Sequence, residues 1–215
     1  MDSIKSEQAP IIIPTDSKLP EKPKQSFARG VGDFAKFAAC VLIAVVAIRY
    51  LIAQPFIVSG ASMSPNFATN DYLIVDELSY RFHPPQRGDV IIFHPPIDPS
   101  AYYIKRVIGI PGDHIEIKNG VVTITNKEYP NGIVLNEPYI TKDTLTEDVV
   151  KDVPAGDYFV MGDNRPESYD SRAWGLLPDQ NITGRAFLRL FPFNEISVLP
   201  AEHKLTSIDG TVLAN

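Results

Sequence analysis

Cysteine is almost absent from these 215 residues: Cys40 is the only one, and it stands inside an apolar run. A single thiol excludes a disulfide framework and a thiolate metal site. Histidine is scarce too. The four, at positions 83, 94, 114 and 203, have no ligand spacing such as two on one helical face, so no metal is expected. Positive charge is lacking where a polyanion binder would need it. Residues 55–215 carry thirteen Lys and Arg against twenty-one Asp and Glu, whereas residues 1–54 carry seven against five. An acidic body has no basic stripe to displace counterions from phosphates, and nucleic acid is excluded as a partner. No internal repeat and no sustained helical period follow residue 55.

What is present divides the chain. Its length and 44% apolar content suit one packed domain with a tail or an anchor. Residues 1–33 carry Pro10, Pro14, Pro20 and Pro23 among alternating charges, a composition expected to give a disordered cytoplasmic tail. Residues 34–54 include twelve uninterrupted apolar residues, Phe37 to Ile48, extended beyond Arg49 by Tyr50 to Ala53 and ended by Gln54-Pro55. This length suffices for a bilayer core of ~30 Å at ~1.5 Å per residue, and a transmembrane helix is expected. A buried core helix would show a polar face, and a cleaved export signal rarely follows so long a charged tail. Lys22, Lys24, Arg29 and Lys36 at the near end favour keeping it cytoplasmic, with Arg49 snorkelling at the far end. Residues 55–215 then form an extracytoplasmic domain.

Beyond Pro55 the pattern becomes short β-rich runs between turn residues: Phe56 to Val58, Tyr72 to Val75, Val90 to Phe93, Tyr102 to Ile108, Tyr158 to Met161 and Ala186 to Phe191. The domain is expected to be mostly β, an antiparallel barrel or sandwich. His114 to Lys118 and Val121 to Thr125 flank Asn119-Gly120, a two-residue hairpin signal because both central positions must take positive φ.

Two short motifs suit a nucleophile and its base. Ser62 lies in Ser59-Gly60-Ala61-Ser62-Met63-Ser64-Pro65, where Gly60 and Pro65 suggest a tight turn that presents the hydroxyl and its own N–H to a cleft. By itself such a serine is commonly an ordinary turn residue. Lys105 sits in the apolar strand Tyr102 to Ile110, where alternation places it with Tyr103 and Val107. If that face is buried, desolvation disfavours the ammonium and yields a neutral amine able to take a proton; if it faces water, Lys105 is an edge-strand surface lysine. A third segment, Gly162 to Gly175, is dense in hydrogen-bonding side chains. Asp163 and Asn164 can form turns, Asp170 and Arg172 can brace one another, and Ser168 can orient a base.

These three segments, with Arg87 to Phe93 and Tyr103 to Asp113 between them, together resemble the bacterial type I signal peptidases over most of residues 55–195. The resemblance implies a membrane-anchored serine endopeptidase on a mostly β scaffold, needing no metal or cofactor. It would remove signal peptides from exported preproteins by a Ser/Lys dyad through an acyl-enzyme. By position, Ser62 matches the nucleophile and Lys105 the general base. Ser168 matches the hydroxyl that orients the lysine, and Asp170 with Arg172 the bracing ion pair, while Asp163, Asn164 and Arg165 complete the supporting loop. The family cleaves after small residues, typically Ala-X-Ala, in shallow pockets that here would be lined by Phe56, Val58, Phe67, Leu73, Ile92, Tyr103 and Ile104. Signal peptides, the lipid bilayer and the export machinery are the partners implied, at the outer face of a bacterial cytoplasmic membrane.

The chain departs from the family pattern at Gly60, where some members carry a serine that donates to the oxyanion, leaving the Ser62 backbone N–H as the donor here. Asn66 replaces the usual threonine, and Pro166-Glu167 replaces other polar pairs. A short span from Asp113 to Gly162 implies a reduced cap, residues 114–157, around the hairpin. Two other readings compete: a self-cleaving repressor-type protease, which the apolar run and the lack of a DNA-binding segment disfavour, and an anchored β-domain that only binds peptides.

Overall fold

The computed structural model describes residues 27–51, 53–140, 147–201, 203, 205–208 and 210–213. Residues 1–26, which hold most of the expected tail, lie outside the described residues. Helix α1 runs Phe27–Leu51, so it begins inside the segment expected to be disordered and ends before residue 54. The reason for the early stop is sequence-local. Gln54-Pro55 belongs to strand β1, Ala53–Ile57, whose register puts Ala53 opposite Asp76.

Along α1 the apolar side chains Phe34, Phe37, Leu42 and Ile43 are all more than 60% exposed, so residues 30–45 bury no apolar stripe. Among the described residues no helix is long and apolar enough to cross a membrane. Side chains are described only over 30–45 of this helix, fewer than the ~20 a span requires. Two compact units divide within α1, one reaching Ala44 and the other starting at Val45.

The second unit is built from antiparallel strands. After β1 come β2 (Tyr72–Asp76), β3 (Val90–Phe93), β4 (Tyr103–Gly109), β5 (His114–Lys118), β6 (Val121–Thr125), β7 (Ile133–Asn136), β8 (Val149–Asp152), β9 (Asp157–Met161), β10 (Leu177–Pro178), β11 (Ile182–Phe191), β12 (Ser197–Val198) and β13 (Thr206–Ser207), with a short helix α2 over Ser171–Trp174. The larger sheet has the order β1-β2-β11-β3-β4-β9-β10, with β12 beside β11. Register shifts in β11 and β4 mark bulges, which raise the local twist. The sheet curls until Phe56 of β1 meets Tyr102 just before β4, ring centroids 4.9 Å apart. The smaller sheet, β13-β7-β6-β5-β8, is the cap. Its Asn119-Gly120 turn has φ of 49° and 79°, and Lys118 pairs with Val121 as the sequence suggests.

Three apolar clusters hold these layers. Ile108, Phe159 and Met161 of the large sheet share one with Ile115, Ile117, Val122 and Ile124 of the cap. Another, Met63, Phe67, Leu73, Val75, Val90 and Ile92, sits beneath the turn that carries Ser62. Each such side chain contributes about 1.5–3 kcal/mol by leaving water. Phe67 is fully buried here. The expectation that it lines a substrate pocket is therefore corrected: a helical turn, Phe67 N–H to the Met63 carbonyl at 3.0 Å, swings it under the site.

β4 is buried on both faces from Lys105 to Gly109. Next to Lys105, the fully buried Arg106 grips Asp163, Nε donating to Oδ1 at 2.8 Å and Nη2 to Oδ2 at 2.6 Å. Its Nη1 donates to the Gly88 and Ala201 carbonyls, and its guanidinium lies 4.2 Å from the Tyr139 ring centroid. Removing one partner of such a pair strands a buried charge. Asp163→Ala should lower unfolding stability by about 3–5 kcal/mol, read as a shifted denaturant midpoint at constant m-value; a loss below about 1 kcal/mol would show that the pair does not tie the loop to β4.

Candidate active site

Three segments meet at Ser62. The first leaves β1, is held to β2's approach by Val58 N–H to Asp71 O at 2.9 Å, and turns at Gly60, whose φ of +104° suits glycine. Thr69 clasps the turn, its Oγ1 accepting from Gly60 N–H at 3.1 Å and donating to Gly60 O at 3.3 Å. The second segment is β4, which delivers Lys105. The third runs from Gly162 to Trp174. Asn164 N–H donates to Ser62 O at 3.0 Å, and Asn164 Nδ2 donates to Ala61 O at 3.0 Å. A Cβ on Gly162 would stand 2.4 Å from Ser62 O and 2.2 Å from Ser168 Oγ, so only glycine permits this approach.

The contact that results is between Lys105 and Ser62. Lys105 Nζ lies 2.7 Å from Ser62 Oγ and donates to Ile104 O at 3.0 Å. With Lys105 only 4% exposed, burial pushes its amine down to about 8 from an ordinary 10.5, with Arg172 pushing the same way. Asp170 and Asp163 pull the other way. Each carboxylate is occupied by an arginine, which limits that pull. Arg172 binds Asp170 through Nε and Nη2, both at 2.8 Å, and Asp163 is held by Arg106. Asp170 also caps α2 by accepting from Arg172 N–H and accepts Gly162 N–H at 3.0 Å.

Arg165 is braced in turn. Its Nε donates to Gly162 O at 3.1 Å, and its guanidinium pairs with Glu137 of the cap. Asn164 thus holds the Ser62 turn, Asp163, Asp170 and Arg172 act on Lys105 by charge, and Arg165 braces the Gly162 carbonyl. Ser168 stands apart from them in one respect. Among the described residues its buried Oγ has no hydrogen-bond partner, so no hydrogen bond from Ser168 orients Lys105. The amine is aimed by the Ile104 carbonyl.

In front of the pair lies a cleft of about 340 Å³. Phe56, Val58, Leu73, Ile92, Tyr103 and Ile104 line it as expected, and Phe67 does not. Sequence reading gave no role to Arg106, although it adjoins Lys105 in an apolar strand, which is a signal in itself. Asn66, noted only as a departure, binds Asp163 at 2.8 Å and Tyr139 O at 2.7 Å through Nδ2. Glu137 left no trace in the sequence, since its partner lies 28 positions away. Among the described residues no cluster could hold a metal ion.

A serine hydroxyl against a buried amine, at the end of an apolar cleft, is the equipment of a serine hydrolase. Comparison with known proteins gives the class. Residues 31–191 match the family "Signal peptidase, peptidase S26". The probable signal peptidase I-1 of Synechocystis sp. is 42% identical over 158 residues, covering 70% of this chain and 78% of that protein. The signal peptidase I of Leptolyngbya laminosa is 38% identical over 196 residues, covering 86% of this chain and 94% of that protein. A crystal structure of a signal peptidase I from Enterococcus faecalis V583 is 33% identical, with a TM-score of 0.41, covering 48% of this chain and 97% of that chain. The chain belongs to the S26 signal peptidase family and is a serine endopeptidase of the signal peptidase I type.

The close approach at Gly162 is testable. Gly162→Ala should displace Ser62 or Ser168 and lower peptide cleavage by about 10²-fold while the far-UV circular dichroism stays native; wild-type turnover would show that the approach does not position the serine.

Proposed function

We propose that Ser62 and Lys105 are the nucleophile and general base of a membrane-anchored peptidase that removes signal peptides from exported preproteins, cleaving after small residues. The observation that carries this reading is the 2.7 Å contact between Ser62 Oγ and a buried Lys105 Nζ. Neutral Lys105 accepts the Ser62 proton as Oγ attacks the scissile carbonyl, and then protonates the departing amine. The acyl group stays on Ser62 until a water, deprotonated by Lys105, hydrolyses the ester. The Ser62 backbone N–H, which donates to no protein acceptor among the described residues, faces the developing oxyanion.

Substrate binding follows from strand edges. Tyr103, Ile104 and Lys105 pair with β3 on one side, while β9 takes up the other side only from Arg106 onward. β1 pairs with β2 alone. An extended peptide can add between these two open edges by backbone hydrogen bonds. Phe56, Val58, Leu73, Ile92, Tyr103 and Ile104 give the cleft an apolar lining, which suits small apolar side chains such as alanine.

Anchoring rests on the apolar stretch of α1, whose exposed Phe34, Phe37, Leu42 and Ile43 require an apolar surrounding. Lys22, Lys24, Arg29 and Lys36 toward its N-terminal end support a cytoplasmic side for that end, with residues 55–215 on the outer face, where the bilayer and the export machinery are the expected partners.

Ser62→Ala and Lys105→Ala should each abolish cleavage of a signal-peptide substrate in a protein that remains folded; appreciable turnover by either would sink the dyad. A second test concerns pH. Only the neutral amine can act as base, so kcat/KM should rise as pH increases through about 8 and level off above it. A flat profile between about pH 6 and 10 would contradict the assignment of the base.

A further inference from the structure

The cleft has two ends. Both segments that line it lead into the reacting pair: Phe56 and Val58 precede Ser62, and Tyr102, Tyr103 and Ile104 precede Lys105, with Phe56 and Tyr102 in contact at the far end. A peptide whose small residues lie along these segments must continue, past its scissile bond, over the Ser62 end. There the wall is the loop that carries Glu167 and Tyr169, both exposed and both lining the cleft. Asn164 fixes the loop's place, since its Nδ2 donates to Ala61 O at 3.0 Å and to Glu167 Oε2 at 3.2 Å.

The charges of this region are matched one by one, with a single exception. Asp163 pairs with Arg106, Asp170 with Arg172, and Glu137 with Arg165. Among the described residues Glu167 has no cationic partner, only the neutral Asn164 amide on one of its oxygens. Among the described residues it is also the only carboxylate lining the cleft, and it does not figure among the groups that shift Lys105. An exposed carboxylate at the leaving-group side, with a free oxygen and an aromatic ring two residues away, is a receptor for a cation.

We propose that Glu167 is a specificity-determining residue that favours a lysine or arginine within the first two residues after the scissile bond. This rests on the dyad reading above and extends it to the other half of the substrate. The chemistry selects charge rather than shape, because the loop is open to solvent and offers no enclosing pocket. An acidic residue at the same place meets repulsion from Glu167.

The test uses the full-length protein and three peptides, identical through an Ala-X-Ala end and carrying Lys, Gln or Glu as the second residue after the cleaved bond. Wild-type kcat/KM should fall in that order, by about three- to fivefold per step, the scale of an exposed charge pair. The ratio should shrink at high salt. Glu167→Gln should bring the three peptides together, and Glu167→Lys should reverse their order. A wild-type ratio near one, or an unchanged ratio in Glu167→Gln, overturns the proposal. Because each ratio is taken within one enzyme, a general loss of activity in a variant does not enter it. Failure of the dyad reading would look different: Ser62→Ala would cleave the Gln peptide, whatever the charge preference.

Discussion

An amine kept out of water beside a hydroxyl is the constraint around which the rest of this domain is arranged. Lys105 loses its hydration because β4 is buried on both faces and because the loop beginning at Gly162 closes over the Ser62 turn. The shift of its pKa to about 8 corresponds to about 3 kcal/mol. The sign runs against stability at neutral pH. Folding must bury a charge below about 8, and the penalty is relieved as pH rises toward 10.5, where the unfolded chain also loses its proton. The fold tolerates this because the apolar clusters beneath Ser62 and under the cap are large and continuous.

The surrounding ion pairs follow from the same constraint. Asp163 and Asp170 are needed to fix the loop, one on Arg106 and one on the Gly162 and Arg172 amides. Left unpaired, two carboxylates at this range would recharge the lysine. Arg106 and Arg172 answer that by holding the carboxylates bidentately, so the loop gains rigidity while the amine sees little net negative charge. Glu137 extends the bracing into the cap through Arg165, coupling a segment remote in sequence to the loop that bounds the cleft. Glu167 is the exception: it lines the same cleft as the apolar side chains and, among the described residues, has no cationic partner.

Much of this was legible in the chain, and the gaps have physical causes. The Asn119-Gly120 hairpin was readable because two consecutive positive φ angles demand such residues. Ser62 and Lys105 were commonplace one at a time, a turn serine and a strand lysine, and only the order and spacing of the three segments, as they resemble the family, singled them out. The structure brings the two side chains within 2.7 Å. Phe67 was misplaced, since nothing local announces that the Met63 turn rotates its ring into the core. β7 and β8 went unnoticed: they are four-residue strands whose partners, not their composition, make them strands. The start of α1 at Phe27 was hidden by charges that a helix accommodates as readily as a coil. Ser168 stands in the expected loop, yet among the described residues its hydroxyl has no hydrogen-bond partner. Ion pairs such as Arg165 with Glu137 depend on chain reversal and leave no periodic signature.

The central claim is that burial lowers the pKa of the Lys105 amine to about 8, so that a neutral fraction can act as base near that pH. Its most direct test is the titration of the Lys105 side chain, followed by the ¹³Cε chemical shift in protein labelled at lysine and assigned by comparison with Lys105→Ala. The account predicts a midpoint about 8, well separated from the surface lysines. A midpoint near 10.5, together with theirs, would show an amine that is solvated and charged, and would contradict it.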